Sequence, residues 1–151
     1  MADARFEDGE ERPLYLGAED ADDLGIIAAL VQDAVLPITE MRYRPAKRQF
    51  LMLLNRFRWE DKTPQPERVR SILVFDGVTQ VRSQGIDRTD RDVVLSVLSL
   101  NWTPKADATG VLQIVLAGDG AIALHMEAMD ATLRDVTRPY LATSRRVPSH
   151  G

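Results

Sequence analysis

The sequence contains no cysteine, and its apolar runs are short. Without cysteine there can be no disulfide bond, thiolate zinc site, iron–sulfur cluster or cysteine nucleophile, and this absence fits a reducing cytoplasm. The longest apolar run, Ile26 to Val31, is far shorter than the roughly 20 residues that span a bilayer. Residues 1–12 are acidic, which argues against a secretory signal or a transit peptide. We therefore expect a cytoplasmic protein that does not contact a membrane.

The composition is typical of an ordinary folded domain. Of the 151 residues, 44% are hydrophobic and 28% are charged, and a chain of this size favours one hydrophobic core. Polar, aperiodic residues at both ends predict flexible tails over residues 1–12 and 141–151. The sequence thus predicts a single globular domain over residues 13–140.

The charges are distributed unevenly along the chain. The net charge of -4 combines an acidic segment 1–41, a basic segment 42–91 and a nearly neutral segment 92–151. Such asymmetry arises when an acidic helix folds back onto basic strands, or when a basic face binds an external polyanion. The first interpretation is favoured because it requires no outside ligand.

One helix is predicted near the N-terminus, over about residues 20–35. Apolar side chains recur there at helical spacing, beginning at Leu24. Asp20 is placed to cap the first turn, with Asp23 three positions later, and Pro37 ends the helix. A metal site formed by the neighbouring carboxylates is less favoured, since consecutive helical residues point in different directions.

The middle of the chain shows the pattern of antiparallel strands separated by turns. A short strand is expected at residues 13–18, a hairpin from segments 39–44 and 49–59, and a long internal strand at residues 92–103. Asp76-Gly77 supplies the positive φ angles of a type I′ turn and predicts another hairpin.

A further hairpin is predicted around a three-residue loop at 118–120, which would place Leu116 opposite Ile122. One face of this hairpin would be buried, because its large apolar side chains alternate with smaller or polar ones. The predicted buried side chains are Leu112, Ile114, Leu116, Ile122, Leu124 and Met126.

The last element is predicted to be a short amphipathic helix over about residues 129–137. Its apolar side chains recur at spacings of three and four residues, at Met129, Leu133, Val136 and Tyr140. Seven or eight antiparallel strands with one early and one late helix predict an α+β fold. The two architectures considered are a partly open barrel of the pleckstrin-homology-like (PH-like) type and an α+β roll.

No catalytic constellation is recognisable in the sequence. His125 lies on the wetter face of its strand with only Glu127 as an acidic neighbour, which favours an ordinary surface role. Asp87, Asp90 and Asp92 could attract a divalent cation, but the intervening arginines and the missing central glycine argue against it. We expect no cofactor, no metal site and no catalytic residue.

A basic surface has the clearest physical argument. Arg56 and Arg58 form a pair with i,i+2 spacing, as do Arg68 and Arg70, so each pair would project from one face of its strand. Trp59 follows the first pair. If the strands align, these five residues would hold phosphate groups while the aromatic ring stacks on a base. They are the candidate ligand-binding or partner-binding residues.

The turn at residues 45–48 decides whether Arg42 and Arg44 join this surface. A four-residue turn sends that pair to the face opposite Arg56, whereas a five-residue turn reunites the two pairs. The sequence leaves both alternatives open.

Three segments carry a resemblance to a known family. They are residues 54–60 (LNRFRWE), 69–88 (VRSILVFDGVTQVRSQGIDR) and 118–140 (GDGAIALHMEAMDATLRDVTRPY). The chain resembles a family of small bacterial proteins, mainly alphaproteobacterial, classed as a domain of unknown function. The resemblance covers nearly the whole chain and implies a compact, cytoplasmic, single-domain protein. It supplies no activity and no site residues.

These observations favour a non-catalytic binding or protein-interaction domain, with a protein as the expected partner. The first alternative is binding of nucleic acid or an anionic ligand through the arginine-rich sheet face. The second alternative is a small enzyme that uses carboxylate chemistry. An exposed sheet edge would also allow the chain to homodimerise by edge pairing.

Overall fold

The strands of the protein form one open antiparallel sheet. The structure is a computed structural model, and it describes residues 13–60, 67–137 and 140–141. The tail predicted for residues 1–12 lies outside this part of the chain, as do residues 142–151 of the C-terminal tail.

Within the described residues there are eleven strands and one α-helix. The first elements are β1 (Tyr15–Ala18), α1 (Ala21–Leu30), β2 (Val35–Pro37), β3 (Met41–Arg44), β4 (Gln49–Phe57) and β5 (Glu67–Asp76). The later elements are β6 (Val78–Gln84), β7 (Val94–Pro104), β8 (Gly110–Leu116), β9 (Ala121–Met126), β10 (Ala131–Asp135) and β11 (Tyr140–Leu141). The strand predicted for residues 13–18 is therefore confirmed as β1.

The strand order is β1-β10-β5-β4-β2-β7-β8-β9-β6, with β3 beside β4 and β11 beside β5. The short strand β2 joins two halves of the sheet, because it pairs with β4 on one side and with β7 on the other. The first half contains β1, β10, β5 and β4, with β3 and β11 beside it, and the second half contains β7, β8, β9 and β6. The sheet stays open in the described chain, since β1 and β6 end this order without pairing with each other. Both halves contribute side chains to one hydrophobic core.

Helix α1 begins where the sequence predicts and ends earlier. The Asp20 side chain accepts a hydrogen bond of 2.8 Å from the Asp23 backbone N–H, which is the predicted cap. The helix ends at Leu30, and Asp33 adopts a left-handed conformation with φ 65°. Residues 31–33 form a turn, and β2 begins at Val35, where the predicted helix would have ended.

A four-residue turn joins β3 to β4, because Arg44 pairs with Gln49. Arg48 ends the turn in a left-handed conformation with φ 51°. Its carbonyl oxygen accepts a 2.8 Å hydrogen bond from the Val78 N–H, and its side chain forms an ion pair with Glu127. The turn thus fastens the β3–β4 hairpin to the start of β6.

The hairpin predicted at Asp76-Gly77 is wrong. Phe75 pairs with Phe50 of β4 and with Ala131 of β10, whereas Val78 pairs with Met126 of β9. Gly77 does have the positive φ that the sequence requires, at 81°. It turns the chain out of one half of the sheet into the other, so β5 and β6 are consecutive without being partners.

The predictions for the long strand and for the last hairpin are confirmed in their main features. The long strand expected at residues 92–103 is β7, and it is internal because β2 and β8 flank it. In the β8–β9 hairpin all six predicted apolar side chains are buried. The register differs by two residues, since Leu112 pairs with Leu124 rather than Met126, and a shift of two keeps every side chain on its predicted face.

The C-terminal helix predicted for residues 129–137 is wrong. Ala131–Asp135 forms β10, which lies between β1 and β5. The segment alternates, with Ala131, Leu133 and Asp135 buried and Arg134 exposed. Two neighbouring strands need this segment as their partner, and their backbone hydrogen bonds outweigh an ambiguous helical spacing.

The architecture is mainly antiparallel sheet with one helix, which agrees with the predicted α+β class. The number of strands exceeds the predicted seven or eight, because β2, β10 and β11 are additional short strands. No helix in the described part of the chain is long and apolar enough to cross a membrane.

Candidate functional site

The strand register divides the arginines between the two faces of the first half of the sheet. Paired residues lie on the same face. The outer face carries Arg42, Arg44, Arg68 and Arg70. Arg56 lies on the inner face and is 0% exposed in the core. Of the two turn lengths left open by the sequence, the structure has the one that separates Arg42 and Arg44 from Arg56.

Arg56 uses all its donor groups in a buried network. Its Nε–H donates to Ser71 Oγ at 3.0 Å, and its two Nη groups donate to both carboxylate oxygens of Glu60 at 2.9 Å. The remaining donors reach the Phe57 carbonyl oxygen at 3.0 Å and Asp135 Oδ1 at 3.0 Å. A guanidinium has five N–H donors, so none is left for a ligand.

Asp135 is the second centre of this network. The Ser71 hydroxyl donates to Asp135 Oδ1 at 2.7 Å, and the Leu14 backbone N–H donates to Oδ2 at 3.0 Å. Arg56, Ser71 and Asp135 come from β4, β5 and β10, which are adjacent strands. The network therefore connects three strands through side chains in addition to their backbone hydrogen bonds.

Both Arg56 and Glu60 are held in their charged forms. Burial acts to lower the pKa of Arg56, but hydrogen bonding by Glu60 and the charges of Asp135 and Glu60 raise it overall. Burial likewise acts to raise the pKa of Glu60, but the hydrogen bond from Arg56 and the nearby arginine charges lower it overall. The paired charges thus compensate for their removal from water.

The other predicted binding residues lie near this network. Arg58 Nη1 donates to Glu67 Oε1 at 2.7 Å, and the Arg68 guanidinium lies 4.3 Å from the centre of the Phe57 ring. Trp59 is 45% exposed, and its Nε1–H donates to the Gln32 carbonyl oxygen at 3.0 Å.

Arg70 has the most solvent-accessible guanidinium of the predicted arginines. Its side chain is 44% exposed and its closest acidic oxygen, Glu40 Oε1, lies 3.9 Å away. The structure therefore does not bring all five predicted residues to one free surface, because Arg56 lies in the core. Ligand binding by this set stays a prediction.

A different group of arginines lines a cleft between β3 and β6. The cleft has a volume of about 410 Å³. Within the described sheet, β3 pairs with β4 alone and β6 with β9 alone, so each has an unpaired edge. At one end the two strands are held together, since the Tyr43 hydroxyl donates to the Val78 carbonyl oxygen at 3.0 Å.

The cleft combines an apolar floor with a basic rim. Phe50, Ile86 and Ile122 contribute apolar side chains to its lining. Three arginines also line it: Arg42 from β3, and Arg88 and Arg91 from the loop after β6. Among the described residues none of these three arginines has an ion pair or a side-chain hydrogen bond.

The acidic residues of the same loop bind their own backbone. Asp87 Oδ1 accepts hydrogen bonds from the Thr89 N–H at 3.0 Å and from the Thr89 hydroxyl at 2.6 Å. These bonds lower the pKa of Asp87. Asp90 Oδ1 accepts from the Asp92 N–H at 3.0 Å. The loop is thereby shaped by its carboxylates, while Arg88 and Arg91 line the cleft.

The comparison with known families agrees with the resemblance seen in the sequence. The family described as "Protein of unknown function (DUF2948)" matches residues 14–150. The chain belongs to this family. No curated protein and no solved structure matches the DUF2948 chain. Its site must therefore be interpreted from its own residues.

The sequence raised two further chemical candidates in this DUF2948 domain. They are His125 as a base, and Asp87, Asp90 and Asp92 as cation ligands. His125 lies on β9 beside Gln80 of β6 and Val111 of β8, and is half-buried. Among the residues that the structure describes, no group of three or more histidine or acidic side chains could hold a metal ion.

Sequence reasoning missed the cleft arginines. Arg88 and Arg91 were considered only as neighbours of carboxylates, and Arg42 only as a member of a strand pair. The i,i+3 spacing of Arg88 and Arg91 in a polar loop was only a weak signal of a shared binding surface. Nothing in the linear sequence indicates that this loop and β3 line the same cleft, because β3 and β6 are not strand partners.

Proposed function

We propose that this DUF2948 domain is a non-catalytic cytoplasmic binding domain, and that its ligand is a small anion with an apolar part held in the cleft between β3 and β6. This develops the anionic-ligand alternative of the sequence analysis with a different set of arginines. The proposed contacts are Arg42, Arg88 and Arg91 for the anionic group, and Phe50, Ile86 and Ile122 for the apolar part.

The observation that carries the proposal is the set of three arginines without ion pairs above an apolar floor. Arginine presents a planar fork of donors that matches carboxylate and phosphate oxygens. Three such cations near one another repel, and an anion between them would remove that repulsion.

The size of the cleft supports a small molecule over a nucleic acid duplex. Ligand pockets are typically about 300–1,000 Å³ in volume, and the cleft falls in this range. A ligand with a carboxylate or phosphate head group and an aliphatic or aromatic body of modest length would match the basic rim and the apolar floor of the cleft. The proposal names this shared chemistry, because both head groups are recognised by the same arginine donors.

The two architectures considered from the sequence, an α+β roll and a PH-like barrel, differ in the role of a C-terminal helix. We favour the α+β roll over the PH-like barrel, because the C-terminal helix that supported the barrel is replaced by β10.

Calorimetric titration tests the proposal directly, with decanoate and phenyl phosphate as probes. We expect saturable binding by the full chain, and a loss of about tenfold or more in affinity for Arg88→Gln and for Arg42→Gln, since a charge-assisted hydrogen bond contributes about 1.5–3 kcal/mol. Lys105→Gln is the matched control, because it removes one positive charge from an exposed residue outside the cleft.

The outcomes separate the alternatives. Binding that weakens in the cleft variants and not in Lys105→Gln supports the proposal. Absence of binding by both probes, or an equal loss in the control, contradicts it. Mass spectrometry of small molecules that copurify with the protein would identify the natural head group.

A further inference from the structure

Two uncovered surfaces of this protein are complementary in charge. The outer face of the first half of the sheet has an apolar centre with basic residues around it. The exposed side of helix α1 has an apolar residue with acidic residues around it. We infer that the protein self-associates by placing α1 of one copy on the outer sheet face of another. The inference does not rest on the proposed ligand, although Arg42 borders both the ligand cleft and the surface used here.

The sheet surface is defined by the residues that project outward from β4 and β5. Its apolar centre consists of Leu51, Leu53, Ile72 and Val74, all partly exposed. Four arginines border this centre, Arg42, Arg44, Arg70 and Arg134, against two acidic residues, Glu40 and Asp76, so positive charge is in excess. A shallow groove of about 260 Å³ lies beside Leu51, Leu53 and Ile72, and its charged lining residues are Arg42, Arg44 and Glu40. We call this surface the outer patch.

The helix surface is defined by one stripe of α1. Asp22, Ile26 and Ala29 are spaced by four and three residues, so they lie on one side of the helix, and all three are exposed. Ile26 is 56% exposed and is the large apolar side chain of this stripe. Asp23 lies beside Asp22. Neither aspartate side chain forms an ion pair in the described part of the chain.

These two surfaces lie apart within one copy. Leu24 and Ile27 of α1 belong to the core, and α1 packs against β1 and β7. The outer patch lies on the opposite face of β4 and β5 from that core. The charge asymmetry of the sequence was attributed to an acidic helix covering the basic strands, but in the described part of the chain α1 packs mainly against β1 and β7. A second copy provides the contact between acidic helix and basic strands.

The predicted contact places Ile26 in the groove of the outer patch, with Asp22 and Asp23 facing Arg44 and Arg70. Removing an exposed isoleucine and the neighbouring aliphatic surface from water favours association. The exposed charge pairs contribute less, and salt screens them. Association should therefore be weak, concentration-dependent and sensitive to ionic strength.

Sedimentation equilibrium of the full chain tests this inference. We expect reversible self-association at about 0.05 M salt that weakens severalfold at about 0.5 M salt, where the screening length is much shorter. Ile26→Ser should weaken it about tenfold or more, and Ile26 is exposed enough for the variant to fold normally. Lys105→Glu, a charge reversal outside both surfaces, is the control and should leave association unchanged.

A charge exchange between the two surfaces gives the sharper test. Arg44→Glu with Arg70→Glu makes the outer patch acidic, and Asp22→Lys with Asp23→Lys makes the helix basic. Each double variant alone should be monomeric, and an equimolar mixture should associate, because each helix then meets a patch of opposite charge. Circular dichroism of each variant verifies that it is folded.

The contradicting results are equally definite. A chain that stays monomeric at all concentrations overturns the inference. So does an oligomer that persists in Ile26→Ser and in both double variants, since it must use another surface, such as the free edge of β1 or β6. A mixture of the two folded double variants that stays monomeric also overturns it.

Discussion

The Arg56 guanidinium on β4 and the Asp135 carboxylate on β10 form an ion pair of 3.0 Å across the intervening strand β5. Both side chains are buried, with exposures of 0% and 3%. Ser71, on β5 between them, hydrogen-bonds to both residues. The pair therefore fixes the lateral position of three strands at one end of the core.

Removing one member of this pair should destabilise the fold strongly. Asp135→Asn leaves the Arg56 charge buried with only Glu60 as a counter-ion, and breaking a buried pair typically costs about 3–5 kcal/mol. We expect a loss of this size in the free energy of unfolding, measured by urea denaturation. Arg134→Gln, at the exposed neighbouring position, should change it by about 0.5 kcal/mol or less. Similar losses for both variants would contradict the assigned role.

Glu60 should make the stability depend on pH. Its pKa in the folded protein lies below the ordinary value of 4.5, so its contribution is complete above about pH 4.5 and is lost as the pH falls through the folded-state pKa. Glu60→Gln should be less stable than the wild type at pH 7, and the difference should shrink steadily in acid. Urea unfolding of both proteins from neutral to acidic pH measures this. A difference that stays constant across that range would show that the charge of Glu60 is irrelevant.

Tyr43→Phe should loosen the closed end of the cleft. The Tyr43 hydroxyl donates to the Val78 carbonyl oxygen, and a hydrogen bond of this kind contributes about 1 kcal/mol net. We expect the free energy of unfolding to fall by about that amount. Amide hydrogen exchange should also be faster in the first residues of β6. Unchanged exchange there would mean that the hydroxyl does not hold the two strands together.

Gly85→Ala should be destabilising because both space and backbone conformation exclude a side chain. Gly85 has φ 70°, and an added Cβ would lie 2.8 Å from the Asp119 carbonyl carbon. Overpacking of this kind typically costs about 1–3 kcal/mol, in addition to the left-handed strain. The thermal unfolding midpoint measures the loss. Gly25→Ala is the control, since an added Cβ there meets nothing within 4 Å, and helix propensity favours alanine.

Local signals predicted the elements that depend on neighbouring residues. The cap of α1 needs only Asp20 and the Asp23 N–H, three positions away, so the sequence reveals it. The buried face of the β8–β9 hairpin follows from alternation alone, and it survives a register error of two residues. The turn between β3 and β4 has four residues, which is one of the two lengths that the sequence left open.

The predictions that failed concern residues whose partners in the structure lie far away along the chain. Asp76-Gly77 has the chemistry of a hairpin turn, but β5 pairs with β4 and β10, which lie elsewhere in the chain. Leu133 fits both a helical and an alternating pattern, and only the neighbouring strands decide between them. Arg56 was placed on a binding surface because the sequence did not show that Asp135 would lie beside it in the core.

The position of β10 has a consequence for how this protein folds. Tyr15, in the first strand, finds its strand partner at Arg134, near the end of the described chain. During synthesis, β1 and one side of β5 therefore stay unpaired until residues 131–135 have emerged from the ribosome. Nascent chains would expose two unpaired edges throughout that interval, and we expect them to aggregate or to need a chaperone more readily than the finished protein.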